Sequence, residues 1–254
     1  MTKPLKFAGI VPARYASTRF PGKPLALIGT KPMIQLVYEQ ACKALDHVFV
    51  ATDDKRILEA VVAFGGKAVM TSDSHRSGTD RCAEAARQIR DSGGIAADVI
   101  INIQGDEPFI RPEQINTLKE CFSDEDVEIA TLVRKALPGE DITDINQVKA
   151  VIAGNGFALY FSRAAIPYMR NHAVKDWTLH HDYYKHIGLY AYRARILEKI
   201  TKLPQGKLET AESLEQNRWL ENGYRIKTAL TKWENLGIDT PEDLEKAQSF
   251  SERL

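Results

Sequence analysis

Through about the first 122 residues, short apolar runs rich in β-branched residues alternate with segments of helical spacing. The apolar runs are FAGIV (7–11), HVFVATD (47–53), KAVMT (67–71) and DVIINIQGDEP (98–108). The helical patterns between them are PMIQLVYEQACKAL (32–45), DKRILEAVVAF (54–64) and SGTDRCAEAARQIRD (77–91). This alternation is typical of βαβ units that build a parallel sheet. The sequence therefore predicts an α/β fold with a single doubly wound, mostly parallel, Rossmann-like sheet.

After about residue 122 the pattern changes to closely spaced strands. QVKAVIA (147–153) and FALYFSR (157–163) flank Gly-Asn-Gly, whose residues tolerate positive φ, so a hairpin is predicted. Further elements are predicted for the strands HIGLYAYR (186–193) and RIKTALT (225–231) and for the helices ARILEKITKL (194–203), TAESLEQNRWLENG (210–223) and one starting near Pro241. We expect one domain over 1–254, in which the second half is a smaller β-rich extension suited to dimerisation.

Composition excludes several classes of protein. The chain of 254 residues has 34 basic and 34 acidic residues, so a nucleic-acid partner is not expected. The three cysteines are far apart and form no C-x-x-C pair, which indicates reduced thiols packed in a core rather than a zinc or disulfide framework. The N-terminal apolar run is too short for a signal peptide, and no stretch of 18 apolar residues occurs. We expect a soluble cytoplasmic protein without a membrane partner.

Charged and hydroxyl side chains follow each of the first strands. Because ligands of open α/β sheets bind at the carboxyl ends of the strands, these residues are the site candidates. They are Arg14, Ser17, Thr18, Arg19 and Lys23 after the first strand, Thr52 and Asp53 after the second, Ser77, Gly78, Thr79 and Asp80 after the third, and Gln104, Asp106 and Glu107 after the fourth. Cations facing carboxylates suit a polyphosphate with magnesium.

Each of these features also has a purely structural explanation. Asp106 and Glu107 fit an ordinary turn before Pro108 equally well. SGTD by itself is most simply a helix cap, because its Ser or Thr satisfies free amide groups. HHDYYKH (180–186) resembles a metal cluster, but no H-x-x-x-H helix is evident, so a structural or substrate-binding role is favoured.

Three common site motifs are missing from the sequence. Gly22-Lys23 is followed by Pro24 and has no glycine five residues earlier, which excludes a Walker A loop. The first strand is not followed by G-x-G-x-x-G, which argues against a dinucleotide dehydrogenase, and the absence of G-x-S-x-G removes the simplest serine hydrolase.

Eight segments resemble, in the same order, those of the 3-deoxy-manno-octulosonate cytidylyltransferases, or CMP-KDO synthetases. They are VPARYASTRFPGKPL (11–25), VATD (50–53), SGTDR (77–81), NIQGDEP (102–108), ALYFSR (158–163), HIGLYAYR (186–193), LETAESLEQNRWLENG (208–223) and GIDTPEDLEKA (237–247). The resemblance runs from about residue 6 to about residue 248, and the first, fourth and last segments are specific to this group.

The resemblance implies that CMP is transferred from CTP to the anomeric hydroxyl of 3-deoxy-manno-octulosonate (KDO), with release of pyrophosphate and a requirement for Mg²⁺. The product is activated KDO for lipopolysaccharide inner-core synthesis. Residues 6–122 would form the nucleotide-binding half of a single nucleotidyltransferase domain, and residues 123–254 the sugar-binding and dimerisation half of a homodimer.

The resemblance also implies roles for single residues. Arg14, Lys23 and Asp106 would be catalytic, with Lys23 stabilising the α-phosphate, and Asp106 and Asp239 would bind Mg²⁺. The predicted CTP-binding residues are Arg14, Ser17, Thr18, Arg19, Lys23, Thr52, Asp53, Ser77, Gly78, Thr79 and Arg81. The predicted sugar-binding residues are Gln104, Arg163, His186, Tyr190, Tyr192, Glu212, Glu215 and Gln216.

Two geometric expectations accompany the sugar site. His186, Tyr190 and Tyr192 alternate along one strand face, although tyrosines on a strand are more often core or interface residues. Glu212 and Gln216, spaced i and i+4, are expected on one helix face. The sequence leaves 8-amino-KDO open as the acceptor, makes sialic acid less favoured because RYASTRFPGK departs from that group's loop, and leaves a non-catalytic nucleotide-sugar sensor as the alternative of a different class.

Overall fold

The computed structural model describes residues 3–16 and 19–251, the side chains of residues 250 and 251 excepted. Its β-strands are β1 (Phe7–Ala13), β2 (Leu27–Ile28), β3 (Lys31–Pro32), β4 (Val48–Thr52), β5 (Ala68–Met70), β6 (Val99–Asn102), β7 (Ile129–Lys135), β8 (Lys149–Ile152), β9 (Ala158–Ser162), β10 (Tyr184–Arg193) and β11 (Ile226–Leu230).

The α-helices are α1 (Met33–Cys42), α2 (Lys55–Ala63), α3 (Gly78–Asp91), α4 (Pro112–Cys121), α5 (Trp177–His180), α6 (Ala194–Ile200), α7 (Lys207–Glu212), α8 (Glu215–Glu221) and α9 (Pro241–Ser251). Short 3₁₀ helices cover Lys23–Leu25 and Val174–Asp176. Within the described ranges, no helix is both long enough and apolar enough to span a bilayer.

The chain folds as two compact units, and neither of them is contiguous in sequence. The first unit comprises residues 1–116, 191–201 and 235–254, and the second comprises 117–190 and 202–234. The prediction of one domain with contiguous halves at 6–122 and 123–254 stays a prediction.

The first unit contains a parallel sheet in the order β6-β1-β4-β5. In register, Gly9 of β1 lies beside Val48 of β4 and Ile101 of β6, so the carboxyl ends of these strands point to the same edge. The strands are nearly continuous apolar runs because helices cover parallel sheets on both faces. Ile10, Val11 and Val50 are fully buried. The mostly parallel α/β fold predicted from the alternation is confirmed.

The second unit contains β11, β7 and β10 in that order, with β11 and β7 parallel. β8 pairs antiparallel with β9, as predicted for the hairpin around Gly-Asn-Gly, and β8 also pairs antiparallel with β10. β10 is longer than predicted and begins at Tyr184. By residue number, its last three residues, 191–193, belong to the first unit.

Two expectations about this fold were wrong. Cys42 is exposed rather than packed in a core, because it ends α1 on the side away from the buried stripe of Met33, Ile34, Val37 and Ala41. TAESLEQNRWLENG is not one helix, because Ser213 has φ 53° and ψ 46° in the left-handed region and ends α7 before α8 begins. Cys82 is buried as predicted.

A buried ionic cluster in the second unit stabilises the exit of β7. Glu140 accepts hydrogen bonds from Arg134 Nη2 at 2.6 Å, from Leu137 N at 2.8 Å and from Lys185 Nζ. The two cationic side chains are only 9% and 5% exposed. Burial raises the pKa of Glu140, but the bonds from Arg134 and Lys185 outweigh burial and lower its pKa to about 2.

Glu140→Gln should lower the free energy of unfolding at pH 7 by about 3 kcal/mol, because it removes the main counter-charge of two buried cations and leaves Arg134 only the more exposed carboxylate of Glu234. The folded pKa lies below the ordinary value of 4.5, so this stabilisation is present above pH 4.5 and is lost as the pH falls toward 2. Urea unfolding of both proteins across this pH range measures the difference. Asp182→Asn, which removes an exposed carboxylate paired with Lys135, is the matched control and should change stability far less. Equal losses in the two variants would contradict the prediction.

Candidate active site

A cavity of about 270 Å³ lies in the first unit at the carboxyl edge of its parallel strands. The predicted site residues that line it are Arg14, Arg19, Lys23, Ser77, Gly78, Arg81, Gln104, Asp106 and Asp239. They come from the segments after β1, β5 and β6, from the first turn of α3 and from the segment before α9. These segments meet because parallel neighbouring strands end at the same edge. Ser17 and Thr18 lie outside the described residues.

At the centre of the cavity, one ammonium group lies between two carboxylates. Lys23 Nζ donates to Asp106 Oδ2 at 2.7 Å and to Asp239 Oδ1 at 3.1 Å. Arg19 Nη2 lies 3.2 Å from Asp239 Oδ2, but its side chain is 66% exposed. The Lys23 side chain is only 14% exposed, so solvent and salt screen its ion pairs less than they screen the pair of Arg19 with Asp239. The structure thus brings together the predicted α-phosphate lysine and both predicted magnesium ligands.

The loop that carries Lys23 contains one glycine, and its backbone requires it. Gly22 has φ 72° and ψ 9° in the left-handed region and starts the 3₁₀ helix at Lys23. Because most residues avoid positive φ, glycine is the favoured residue at this turn. The turn leads directly into Lys23, whose ammonium group reaches Asp106 and Asp239.

Asp106 is positioned by close packing at the end of β6. A Cβ atom on Gly105 would lie 2.8 Å from the carbonyl oxygen of Pro12, a contact that only a backbone shift could relieve. Ile238 N donates to the Asp106 carbonyl at 2.9 Å and so anchors the segment that carries Asp239. The side chain of Asp106 is left facing the cavity, which favours the functional interpretation over an ordinary turn.

The side chains of Glu107 and Asp106, although adjacent in sequence, contact different partners. It is absent from the cavity lining, and its carboxyl group accepts a hydrogen bond from Asn235 Nδ2. Burial, with a further contribution from the negative charge of Asp106, raises the pKa of Glu107 to about 8, although the bond from Asn235 acts in the opposite direction. Adjacent carboxyl groups therefore have distinct environments.

The segment SGTDR is a helix start, as the cap interpretation predicted. Ser77 Oγ accepts from Asp80 N at 3.1 Å and caps α3. Arg81 is buried, and its guanidinium donates to Thr71 Oγ1 at 2.6 Å and to Asp53 Oδ2 at 2.7 Å. Arg81 and Asp53 therefore neutralise each other, and Arg81 also borders the cavity. Thr52 and Thr79 are buried, at 0% and 3% exposure. Contact of these residues with CTP stays a prediction.

Sequence reasoning missed His75 and Arg76, which also line the cavity. His75 Nε2 contacts the carboxylate of Glu84 on α3. Burial raises the pKa of Glu84, but hydrogen bonds from Ser72 N and His75 outweigh it and lower the pKa. Both missed residues directly precede the SGTD cap after the third strand, and that position was the available signal.

In the second unit, Arg163 and Glu212 lie in one hydrogen-bonded cluster. The Arg163 guanidinium donates to main-chain oxygens, with Nε 2.8 Å from Glu212 O and Nη1 3.0 Å from Ile145 O. The Glu212 carboxylate accepts from Ser162 Oγ at 2.7 Å and from Arg163 N at 2.9 Å. Both predicted sugar-binding residues are thus held in fixed positions.

The expectation that Glu212 and Gln216 share one helix face was wrong, because Glu212 ends α7 and Gln216 lies in α8. Glu215, at the start of α8, accepts from Arg218 Nη2 at 3.0 Å. Gln216 is 6% exposed. The break at Ser213 gives Glu212 and Gln216 different directions, and their contact with sugar stays a prediction.

His186 and Tyr190 contact each other on β10. Their ring centroids are 5.2 Å apart, and His186 Nε2 lies 3.0 Å from Thr131 Oγ1. Burial lowers the pKa of His186 to about 3, so its imidazole is neutral at pH 7. Tyr190 is 7% exposed and Tyr192 is fully buried, as expected of core residues. Gln104 and Tyr192 belong to the first unit, and the other predicted sugar residues to the second.

The HHDYYKH segment contacts aromatic rings and a lysine. His180 stacks on His172 with centroids 3.9 Å apart, and His181 meets the edge of Tyr183. Over residues 3–16 and 19–251, no group of three or more His, Cys, Asp or Glu side chains is arranged to hold a metal ion. The ring contacts give this segment a packing role, and its contact with substrate stays a prediction.

Comparison with known proteins decides the family. The chain matches the cytidylyltransferase family over residues 8–228. It is 60% identical to the 3-deoxy-manno-octulosonate cytidylyltransferase of Parabacteroides distasonis over 250 residues, which cover 97% of this chain and 98% of that protein. The chain belongs to the 3-deoxy-manno-octulosonate cytidylyltransferase family.

Other 3-deoxy-manno-octulosonate cytidylyltransferases give the same result. The protein of that name from Bacteroides thetaiotaomicron is 57% identical over 97% of this chain and 98% of its own length. A solved structure of CMP:2-keto-3-deoxy-manno-octonic acid synthetase complexed with CTP is 43% identical, with a TM-score of 0.89, and the match covers 98% of this chain and 99% of that one. The resemblance inferred from sequence segments is confirmed, and the chain is a nucleotidyltransferase.

Proposed function

We propose that this protein transfers CMP from CTP to the anomeric hydroxyl of KDO, releases pyrophosphate, and thereby activates KDO for lipopolysaccharide inner-core synthesis. The observation that carries the proposal is the cavity of the first unit, in which cationic side chains surround Lys23 and its two carboxylates. Family membership supports the reaction, and the relatives and the CTP-complexed neighbour carry the corresponding names.

The cations of the cavity suit the charge of CTP. Arg14, Arg19, Lys23 and Arg76 line the cavity. Phosphoryl transfer to a hydroxyl needs little covalent help from the protein and depends on positioning and on charge stabilisation. We assign Arg14 and Lys23 to the triphosphate and Lys23 to the α-phosphate, where negative charge develops as pyrophosphate leaves. The remaining predicted CTP residues keep their proposed supporting roles.

The two aspartates fit a magnesium site. Asp106 and Asp239 present carboxylate oxygens to a single cationic group, and their side chains are 32% and 48% exposed. Mg²⁺ prefers oxygen ligands and is commonly bound through one or two carboxylates together with substrate phosphates. When bound, Mg²⁺ supplies charge neutralisation on the phosphates and lowers the pKa of a coordinated hydroxyl.

We propose that the sugar is bound chiefly by Gln104, Arg163 and His186. The proposed secondary contacts come from Glu212, Glu215, Gln216 and the tyrosines. A guanidinium matches the planar KDO carboxylate, and the neutral imidazole of His186 can exchange hydrogen bonds with hydroxyl groups. Tyr190 and Tyr192 are buried, as is Gln216. Contact with sugar would require them to become accessible.

A pyrophosphate-release assay with CTP, Mg²⁺ and one of three sugars tests the function. Release should be fastest with KDO and absent when the sugar or Mg²⁺ is omitted. Faster release with 8-amino-KDO or sialic acid would move the proposal to that acceptor. CTP binding without pyrophosphate from any of the three would show a nucleotide-sugar sensor instead.

We also propose that the protein is a cytoplasmic homodimer. The second unit exposes several large apolar side chains, among them Leu137, Leu159 and Leu230 at 61–64%. Leu137 and Leu230 line the same open concavity, and apolar side chains that share one surface favour association with another protein surface. A light-scattering mass of a single chain would contradict the dimer.

A further inference from the structure

The two carboxylates that face Lys23 are presented by segments far apart in sequence. Asp106 follows β6, whereas Asp239 lies just before α9. Their main chains are joined by the bond from Ile238 N to the Asp106 carbonyl at 2.9 Å. This main-chain bond leaves the segments freedom to rotate, so side-chain contacts, such as that of Asp243 Oδ2 with Asp239 N at 3.3 Å, help to hold the pair in register.

A chain of side-chain hydrogen bonds links the same two segments beside the cavity. Gln114 Nε2 donates to Asn235 Oδ1 at 2.8 Å, and Asn235 Nδ2 donates to the Glu107 carboxyl group. Glu107 is the neighbour of Asp106, and Asn235 starts the segment that leads to Asp239. Asn235 therefore connects the two carboxylate-bearing segments without lining the cavity itself.

A main-chain donor sets the direction of this hydrogen-bond chain. Arg111 N donates to Gln114 Oε1 at 3.0 Å, so the amide nitrogen of Gln114 is left to face Asn235. The oxygen of Asn235 must then accept, and its nitrogen must donate to Glu107. Gln114 is only 1% exposed, so a missing partner would leave its amide group without water to replace it.

We propose that Asn235 is a positioning residue that holds Asp239 opposite Asp106 through Glu107 and Gln114. This inference rests on the proposed function, in which the aspartates hold the metal. Removing a residue that hydrogen-bonds directly to a metal ligand typically changes metal affinity or activity by about 10–100-fold, and Asn235 acts on the ligands through the adjoining main chain, so we expect the lower part of this range for metal affinity. The position of the aspartate pair, rather than the stability of the fold, is the property that Asn235 controls.

The decisive experiment compares Asn235→Ala with the unaltered chain in two assays. Mn²⁺ binding in the presence of CTP, measured by the electron paramagnetic resonance signal of free Mn²⁺, should weaken by about tenfold. In the pyrophosphate assay kcat should fall by about 10–100-fold while KM for KDO stays within about twofold. Asn235→Leu, which has a similar volume but can neither donate nor accept a hydrogen bond, should behave in the same way and serves if Asn235→Ala does not fold.

Conservative and control variants separate positioning from folding. Glu107→Gln keeps an oxygen that can accept from Asn235, so its Mn²⁺ affinity should stay within about threefold, whereas Glu107→Ala should lose about tenfold. Gln35→Ala removes an amide that donates to Glu39 on α1 at 2.8 Å, away from the cavity, and should leave Mn²⁺ binding unchanged. Folded Asn235 variants with unaltered Mn²⁺ affinity and kcat would overturn the proposal.

The two proposals fail in different ways. If the unaltered chain releases no pyrophosphate, the proposed function fails, yet the Mn²⁺ comparison still tests Asn235. If the unaltered chain is active and the Asn235 variants differ from it only in melting temperature, the residue is structural and the positioning role is wrong.

Discussion

Asp106→Asn should reduce kcat for pyrophosphate release by about 1,000-fold, equivalent to about 4 kcal/mol of transition-state stabilisation. The substitution keeps the shape of the side chain and removes the charge that both Lys23 and a magnesium ion require. Folding should be little affected, because Ile238 bonds to the carbonyl of Asp106 and not to its carboxylate. Steady-state kinetics at saturating CTP and KDO, with a melting curve for each protein, measure the two effects separately.

The matched control is Asp91→Asn, which alters an exposed carboxylate of the same unit that pairs with Arg90. It should leave kcat unchanged. Asp239→Asn should resemble Asp106→Asn, since both carboxylates contact the same ammonium group. Near-normal activity of Asp106→Asn would remove this residue from the metal site.

Lys23→Met should lower kcat by about 100–1,000-fold, because the negative charge that develops on the α-phosphate then loses the cation that we assign to it. Methionine preserves the length of a side chain that is mostly buried, so the loop should keep its course. Lys23→Arg should not restore activity, because a planar guanidinium cannot replace a compact ammonium between two carboxylates. Rapid-quench measurement of a single turnover isolates the chemical step.

Lys31→Met removes a lysine that forms a more exposed ion pair with Glu39, and it is the control for loss of one positive charge. Its kcat should match that of the unaltered chain. If Lys23→Met raised KM for CTP and left kcat intact, Lys23 would contribute only to ground-state binding, and its assignment to the α-phosphate would be wrong.

The sheet of the first unit could be predicted because its strands are buried on both faces. Apolar runs such as FAGIV and DVIINI stand out from the helical segments around them, and their parallel arrangement puts Arg14 and Asp106 at one edge. The strand β7 was missed although it is equally apolar, because neither a turn motif nor a recognisable segment marked its ends. The short hairpin of β2 and β3 has too few residues to show any periodicity.

The candidate site was predictable where its residues follow strands, and unpredictable where tertiary contacts decide their roles. The position of Asp239 beside Lys23 depends on a chain reversal that no local pattern encodes, and only the resemblance to a family indicated it. Local spacing was misleading for Glu212 and Gln216, since a single left-handed residue, Ser213, separates two helices. Asn235 gave no signal at all, because an isolated asparagine is common in loops.

The contact between Gly105 and Pro12 limits how such a sequence can diverge. The two backbones approach so closely that any side chain at position 105 would push the exit of β6 away from the exit of β1. The distance between Arg14 and Asp106 would then increase, whatever residues occupy the loop that carries Lys23. Substitutions of side chains that point into the cavity leave this backbone spacing unchanged, and a new substrate preference is expected to arise through them.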